Sequence, residues 1–227
     1  MMFRSVWKAV AGSGVLLMSL AFPQTFAADT LARPARGAPS SVMLYGGFGT
    51  DVNFTQSVYA PWTIEPNGLG FVGIAASQRL GTINDFASDW GYDLGTIGDD
   101  FTLDGEIGGG YRFGEESMAE LWTALYLRYD GLPWNDIVYT TIAADLGISV
   151  LSEKSEIEAS READSDGQHA NASYILHFFS PEITIADPDN KNVELVLRLQ
   201  HRSGIFGLID GITSGSTIVT TGIRVRF

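Results

Sequence analysis

From Val193 to Ser203 the chain alternates side chains with almost no interruption, and the two resulting rows could hardly be more different. Successive side chains of a strand point to opposite faces, so residues two apart share a surface. One row holds Val193, Leu195, Leu197, Leu199, His201 and Ser203, and the other holds Glu194, Arg198, Gln200 and Arg202. The final segment repeats the pattern. Thr217, Val219, Thr221, Ile223, Val225 and Phe227 lie on one side, with Ser216, Thr220, Arg224 and Arg226 on the other. Strands that set an apolar row against arginines need hydrocarbon on one side and a polar interior on the other, the pattern of a transmembrane barrel.

The rest of the chain is read in the same way. Strands are expected near Ser41 to Thr50, Gly68 to Leu80, Phe101 to Phe113, Met118 to Asp130, Asp136 to Ser149, Ala172 to Ile185, Asn192 to Ser203 and Ser216 to Phe227. The fold class is therefore all-β, an eight-stranded antiparallel transmembrane β-barrel spanning residues 41–227. No later segment approaches about eighteen consecutive apolar residues, so any crossing of a bilayer must use strands. In Met118 to Asp130 the leucines and Tyr129 oppose Glu120 and Arg128, and in the strand before it Phe101, Leu103, Ile107, Tyr111 and Phe113 oppose Asp104, Glu106 and Arg112. Acids and bases from several strands thus share one interior, tolerable only as a paired network. The long link from Gly81 to Asp100 and the short one at Gly114 to Glu116 reverse the usual loop lengths at the two ends of such a barrel, so a strand in the first half is a candidate for misplacement.

Residues 1–27 read as a secretory signal peptide: Arg4 and Lys8 precede an apolar run from Ala9 to Phe22, and Thr25-Phe26-Ala27 supplies a small-x-small end. Residues 28–40 read as a disordered lead-in. The net charge of -13 argues against a nucleic-acid partner. With no cysteine the chain has neither disulfides nor thiolate metal sites. No calcium-loop spacing or phosphate cradle is present either, so neither a metal nor a cofactor is expected. The acids between Glu153 and Asp166 read as a solvated face, His177 as a structural strand residue, and Trp62, Trp90 and Trp134 as interfacial anchors, with Trp122 open between anchor and core.

His201 and Ser203 are the polar exceptions in an apolar row. With Phe227 at the periplasmic end, they fall at the outer-leaflet end of the penultimate strand. A hydroxyl beside an imidazole is a usable nucleophile and base for ester cleavage. Placing it on the outside of a barrel suits a substrate that diffuses in the bilayer.

His201-Arg202-Ser203, followed by a glycine-containing loop and a last strand with an aromatic end, resembles the lipid A 3-O-deacylase (PagL) family, also described as acyloxyacyl hydrolase-like. The resemblance implies an outer-membrane esterase that acts on lipid A of lipopolysaccharide without a cofactor, with Ser203 as nucleophile and His201 as base. The specific match runs from His201 to Phe227. It departs at Gly204, where the family has Asn, and in the absence of the family's Glu near the start of the last strand. Asp210, the one acid in the loop, is the candidate to orient the imidazole, or else a turn residue before Gly211. The backbone N–H groups of Gly204 and Ile205 are the candidate oxyanion donors. Two other readings stand beside this one: a non-enzymatic outer-membrane surface barrel for adhesion or envelope stability, and a soluble periplasmic barrel with its leucines turned inward.

Overall fold

A computed structural model of the chain describes residues 37–166 and 171–227. The segment read as a signal peptide, and residues 28–36 of the expected lead-in, lie outside these residues. The strands are β1 (Ser40–Thr50), β2 (Pro66–Thr82), β3 (Phe101–Gly114), β4 (Met118–Tyr129), β5 (Tyr139–Leu151), β6 (Ile175–Phe179), β7 (Glu182–Asp187), β8 (Asn190–Ser203) and β9 (Gly215–Arg226). From β1 to β5 each strand pairs antiparallel with the next in sequence, as β8 does with β9, and β9 pairs with β1, from Ser41 opposite Arg226 to Thr50 opposite Thr217. The sheet therefore closes on itself. β6 and β7 lie end to end between β5 and β8, so they occupy one place and the ring has eight positions.

The break between β6 and β7 has a local cause. Pro181 has no N–H to give to the ladder, and strands tolerate proline only where pairing is interrupted. The preceding Ser180 N–H turns inward and donates to the Asp145 carboxylate. The expected strand from Ala172 to Ile185 is thus two short ones. The first half of the barrel needs no rearrangement: the link between β2 and β3 carries two short helices, α2 (Ile83–Ser88) and α3 (Gly95–Asp100), and residues 115–117 form a tight turn.

Facing is apolar outward and charged inward throughout. Leu44, Ile74, Leu121, Leu146, Leu195 and Ile223 are exposed on the exterior. The interior holds fully buried Arg112, Arg198, Arg202 and Arg224. This arrangement is the reverse of a soluble barrel with an apolar lumen, so that third reading does not survive.

The interior charges are paired across strands. Glu182 receives Arg128 at 3.0 Å, Arg198 at 2.6 Å and Arg224 at 2.6 Å, while Glu194 receives Arg224 and Arg226 at 2.9 and 2.7 Å. Glu106 takes Arg198 at 2.8 Å, and Arg198 also lies between the rings of Tyr45 and Tyr126, 5.3 and 4.9 Å from their centroids. Trp122 resolves as a lumen residue, 3% exposed, whose indole N–H donates to Glu106 at 3.0 Å. Removing one member of such a buried pair leaves an uncompensated charge and costs about 3–5 kcal/mol. The network therefore fixes register around the ring.

One end of the barrel carries the start of β1, the end of β9 and the links after β2, β4 and β7. The other carries the links at residues 51–65, 115–117, 152–174 and 204–214. Two helices ride on that second end, α1 (Phe54–Tyr59) and α4 (Glu156–Asp166). Glu158 and Glu162, expected in a solvated row, are instead buried against the barrel mouth.

Candidate active site

β8 delivers His201 and Ser203 to the exterior at the second end, continuing the row of Leu195, Leu197 and Leu199. Between them Arg202 points inward and is 1% exposed. Its guanidinium donates to both carboxylate oxygens of Glu158, at 2.9 and 3.0 Å, so helix α4 braces the inner side of the strand segment whose outer side carries the two polar groups.

The register of β8 and β9 sets Thr217 directly opposite His201. Its hydroxyl lies 3.0 Å from His201 Nδ1, and the residue is 2% exposed. A hydroxyl thus occupies the place beside the imidazole where an orienting carboxylate was sought. Phe54 covers the same ring from the other side, its centroid 4.7 Å away and tilted by 32°. That position follows from the helix start: the Asn53 side chain accepts from the Gln56 N–H at 2.8 Å, capping α1 so that its first residue lies over β8. Phe179 of β6 meets Phe54 edge to face at 5.4 Å and lies parallel to His177 at 6.4 Å.

Ser203 stands across from His177 in the pairing of β8 with β6. No hydrogen bond joins Ser203 Oγ to His201 or to His177 among the described residues. The two groups share the exterior face without a hydrogen bond between them. Hydrogen bonds of a catalytic pair are often long before substrate arrives.

Asp210 does not reach the imidazole. Its carboxylate accepts from Ser173 Oγ, and its backbone has a positive φ of 52°. Ile205 and Phe206 also have positive φ, 51° and 55°, a conformation that is unfavourable above all for the β-branched Ile205. The Gly204 N–H donates to the Ser214 carbonyl at 3.4 Å, and that of Ile205 has no main-chain partner among the described residues. Gly204 cannot carry a side chain without moving the loop, because a Cβ would lie 2.0 Å from the Ile212 carbonyl oxygen.

Helix α4 fixes the far side of the loop. Glu162 accepts from the backbone N–H groups of Thr213 and Ser214, at 2.9 and 2.7 Å, and Arg161 donates to the Gly215 carbonyl at 3.0 Å. Burial pushes the Glu162 carboxyl up, but the donors of Thr213 and Ser214 outweigh it and hold the group below the usual carboxylate range. No group of three or more His, Asp or Glu side chains suited to a metal occurs among the described residues.

Sequence reasoning missed Thr217, Phe54 and His177 beside the pair, and Glu158 on Arg202 at the inner side of the strand. Counting register back through the last hairpin points to Thr217; the other three are brought in by ring closure and by loops.

No family model matches the chain, and no curated protein does. Among solved structures it is similar to the outer membrane enzyme PagL, at 13% identity and a TM-score of 0.50, over 82% of this chain and 99% of that one. It also matches Neisserial surface protein A (NspA), at 11% identity and a TM-score of 0.45, over 83% of this chain and 97% of that one. At these identities the likeness to PagL establishes a shared barrel fold.

Proposed function

We propose that this barrel is an outer-membrane esterase that removes one ester-linked acyl chain from lipid A. The observation that carries the reading is the exterior pair His201 and Ser203, with Thr217 on the imidazole, at the end of the barrel away from Ser40 and Phe227. With Phe227 on the periplasmic side, that end lies in the outer leaflet, where acyl esters meet the sugar headgroup. The likeness in fold to the outer membrane enzyme PagL adds support.

The chemistry follows from the residue types. Thr217 holds Nδ1 and leaves Nε2 for the hydroxyl. As Ser203 Oγ bonds to the ester carbonyl carbon, its proton passes to His201. The carbon–oxygen bond to the sugar then breaks, and His201 returns the proton to that oxygen. Water, activated by the same imidazole, hydrolyses the acyl-enzyme and frees the fatty acid. Without a carboxylate the developing imidazolium is less stabilised than in a full triad, so a slow enzyme is expected.

The test is expression in a host with unmodified lipid A. The lipid should lose the mass of one hydroxyacyl chain, and Ser203→Ala should restore it. The rival reading, a non-enzymatic surface barrel, is favoured by one observation, that Asp210 is bonded to Ser173 and leaves the imidazole without an acid. Unchanged lipid mass with a correctly inserted barrel would support that rival.

A further inference from the structure

Ester cleavage at Ser203 needs donors at the carbonyl oxygen, which gains a full negative charge as the Oγ–C bond forms. Of the two main-chain donors adjoining the nucleophile, the Gly204 N–H is already used within the loop. The packing of Gly204 on Ile212 bars a side-chain donor there. The site is one donor short.

That donor stands on the neighbouring strand. His177 is the register partner of Ser203, on the same exterior face as Ile175 and Phe179. Directly opposed residues of an antiparallel pair have Cβ atoms about 4.5–5.5 Å apart. Residues two apart along one strand are about 6.5 Å apart. His177 is thus placed nearer to Ser203 than His201 is. Its ring lies parallel to that of Phe179, and neither ring nitrogen is hydrogen-bonded to a described residue. An N–H left unmatched on an apolar face is costly until a polar ligand meets it.

We infer that His177 is a catalytic residue whose ring N–H donates to the carbonyl oxygen of the bound ester and stabilises the oxyanion. The inference rests on Ser203 being the nucleophile. His177 stays neutral and keeps its proton, while the Ser203 proton moves to His201 and then to the departing sugar oxygen. The ester carbonyl is held between the two imidazoles, with the Ile205 N–H as the second donor.

The experiment measures fatty-acid release from lipid A by the purified full-length barrel in detergent, for wild type, Ser203→Ala, His177→Phe, His177→Gln and His177→Asn. His177→Phe keeps the ring and removes the donor, and should lower kcat about 10²–10³-fold with a smaller change in KM. At least one amide variant, which keeps an N–H, should stay within about tenfold of wild type. A His177→Phe barrel as active as wild type overturns the inference, and so does equal inactivity of all three variants, which would mean a base or a packing role. Heat-modifiable migration verifies each barrel, and His177→Leu replaces the phenylalanine variant if that one does not fold. A wild type no faster than Ser203→Ala would instead refute the esterase reading itself.

Discussion

Arg202 and Glu158 join the inside of the barrel to the helix that closes its mouth: both guanidinium–carboxylate contacts are at 3.0 Å or less, and both side chains are buried. Glu158 also accepts from Ser216 Oγ at 2.6 Å, next to the Thr217 that holds His201. The strand pair bearing the exterior site is therefore positioned by a charge on its interior side.

Removing that charge should loosen the site. Glu158→Leu leaves Arg202 buried without its carboxylate, with the Tyr174 carbonyl as its remaining hydrogen-bond acceptor, and is expected to cost about 3 kcal/mol of folding stability. Urea unfolding followed by heat-modifiable migration measures the loss, and a stability equal to wild type would show that the brace is dispensable.

Thr217 is expected to contribute through its hydroxyl alone. Thr217→Val should lower kcat about fivefold, the equivalent of about 1 kcal/mol for one neutral hydrogen bond, and Thr217→Ser should be close to wild type. Equal rates in the valine and wild-type enzymes would remove Thr217 from the site.

Asp210→Asn should leave acyl release within about twofold of wild type, because the carboxylate faces Ser173 and asparagine tolerates the same positive φ. A loss as deep as that of His201→Ala would mean that the loop rearranges to bring Asp210 onto the imidazole.

How far the sequence carried these assignments depends on range. Facing was legible from the twofold period, because a one-residue slip in β8 would have buried Leu195 and Leu197 and exposed Arg198. The lumen pairs were legible as a class, though not as partners. The break at Pro181 is explained by its missing N–H, yet the flanking apolar alternation concealed it. His177 and Phe54 could not be read as site residues, since one depends on which strand lies beside β8 and the other on a loop folding across the barrel rim. Glu158 and Glu162 sit in a run whose composition suggests water, and the arginine, the hydroxyls and the backbone donors facing them make burial tolerable.

Glu162 carries the pH dependence of the loop. Its carboxyl is held below its unfolded range by the Thr213 and Ser214 donors, so its stabilisation is present above the unfolded pKa of about 4.3 and is lost as pH falls through the lower folded value. Hydrogen-exchange protection factors in residues 204–214, with the intrinsic pH dependence of exchange divided out, should be high at pH 7 and lower below about pH 4, and Glu162→Gln should lower them already at pH 7. Equal protection at both values would contradict this linkage.

The most direct test of the esterase reading is the rate of fatty-acid release when the purified barrel meets lipid A in detergent. The wild-type chain should liberate one hydroxy fatty acid per lipid, and neither Ser203→Ala nor His201→Ala should release it above background. A folded wild-type barrel that leaves lipid A intact, or a Ser203→Ala barrel that cleaves it equally well, would contradict the assignment of Ser203 as the nucleophile.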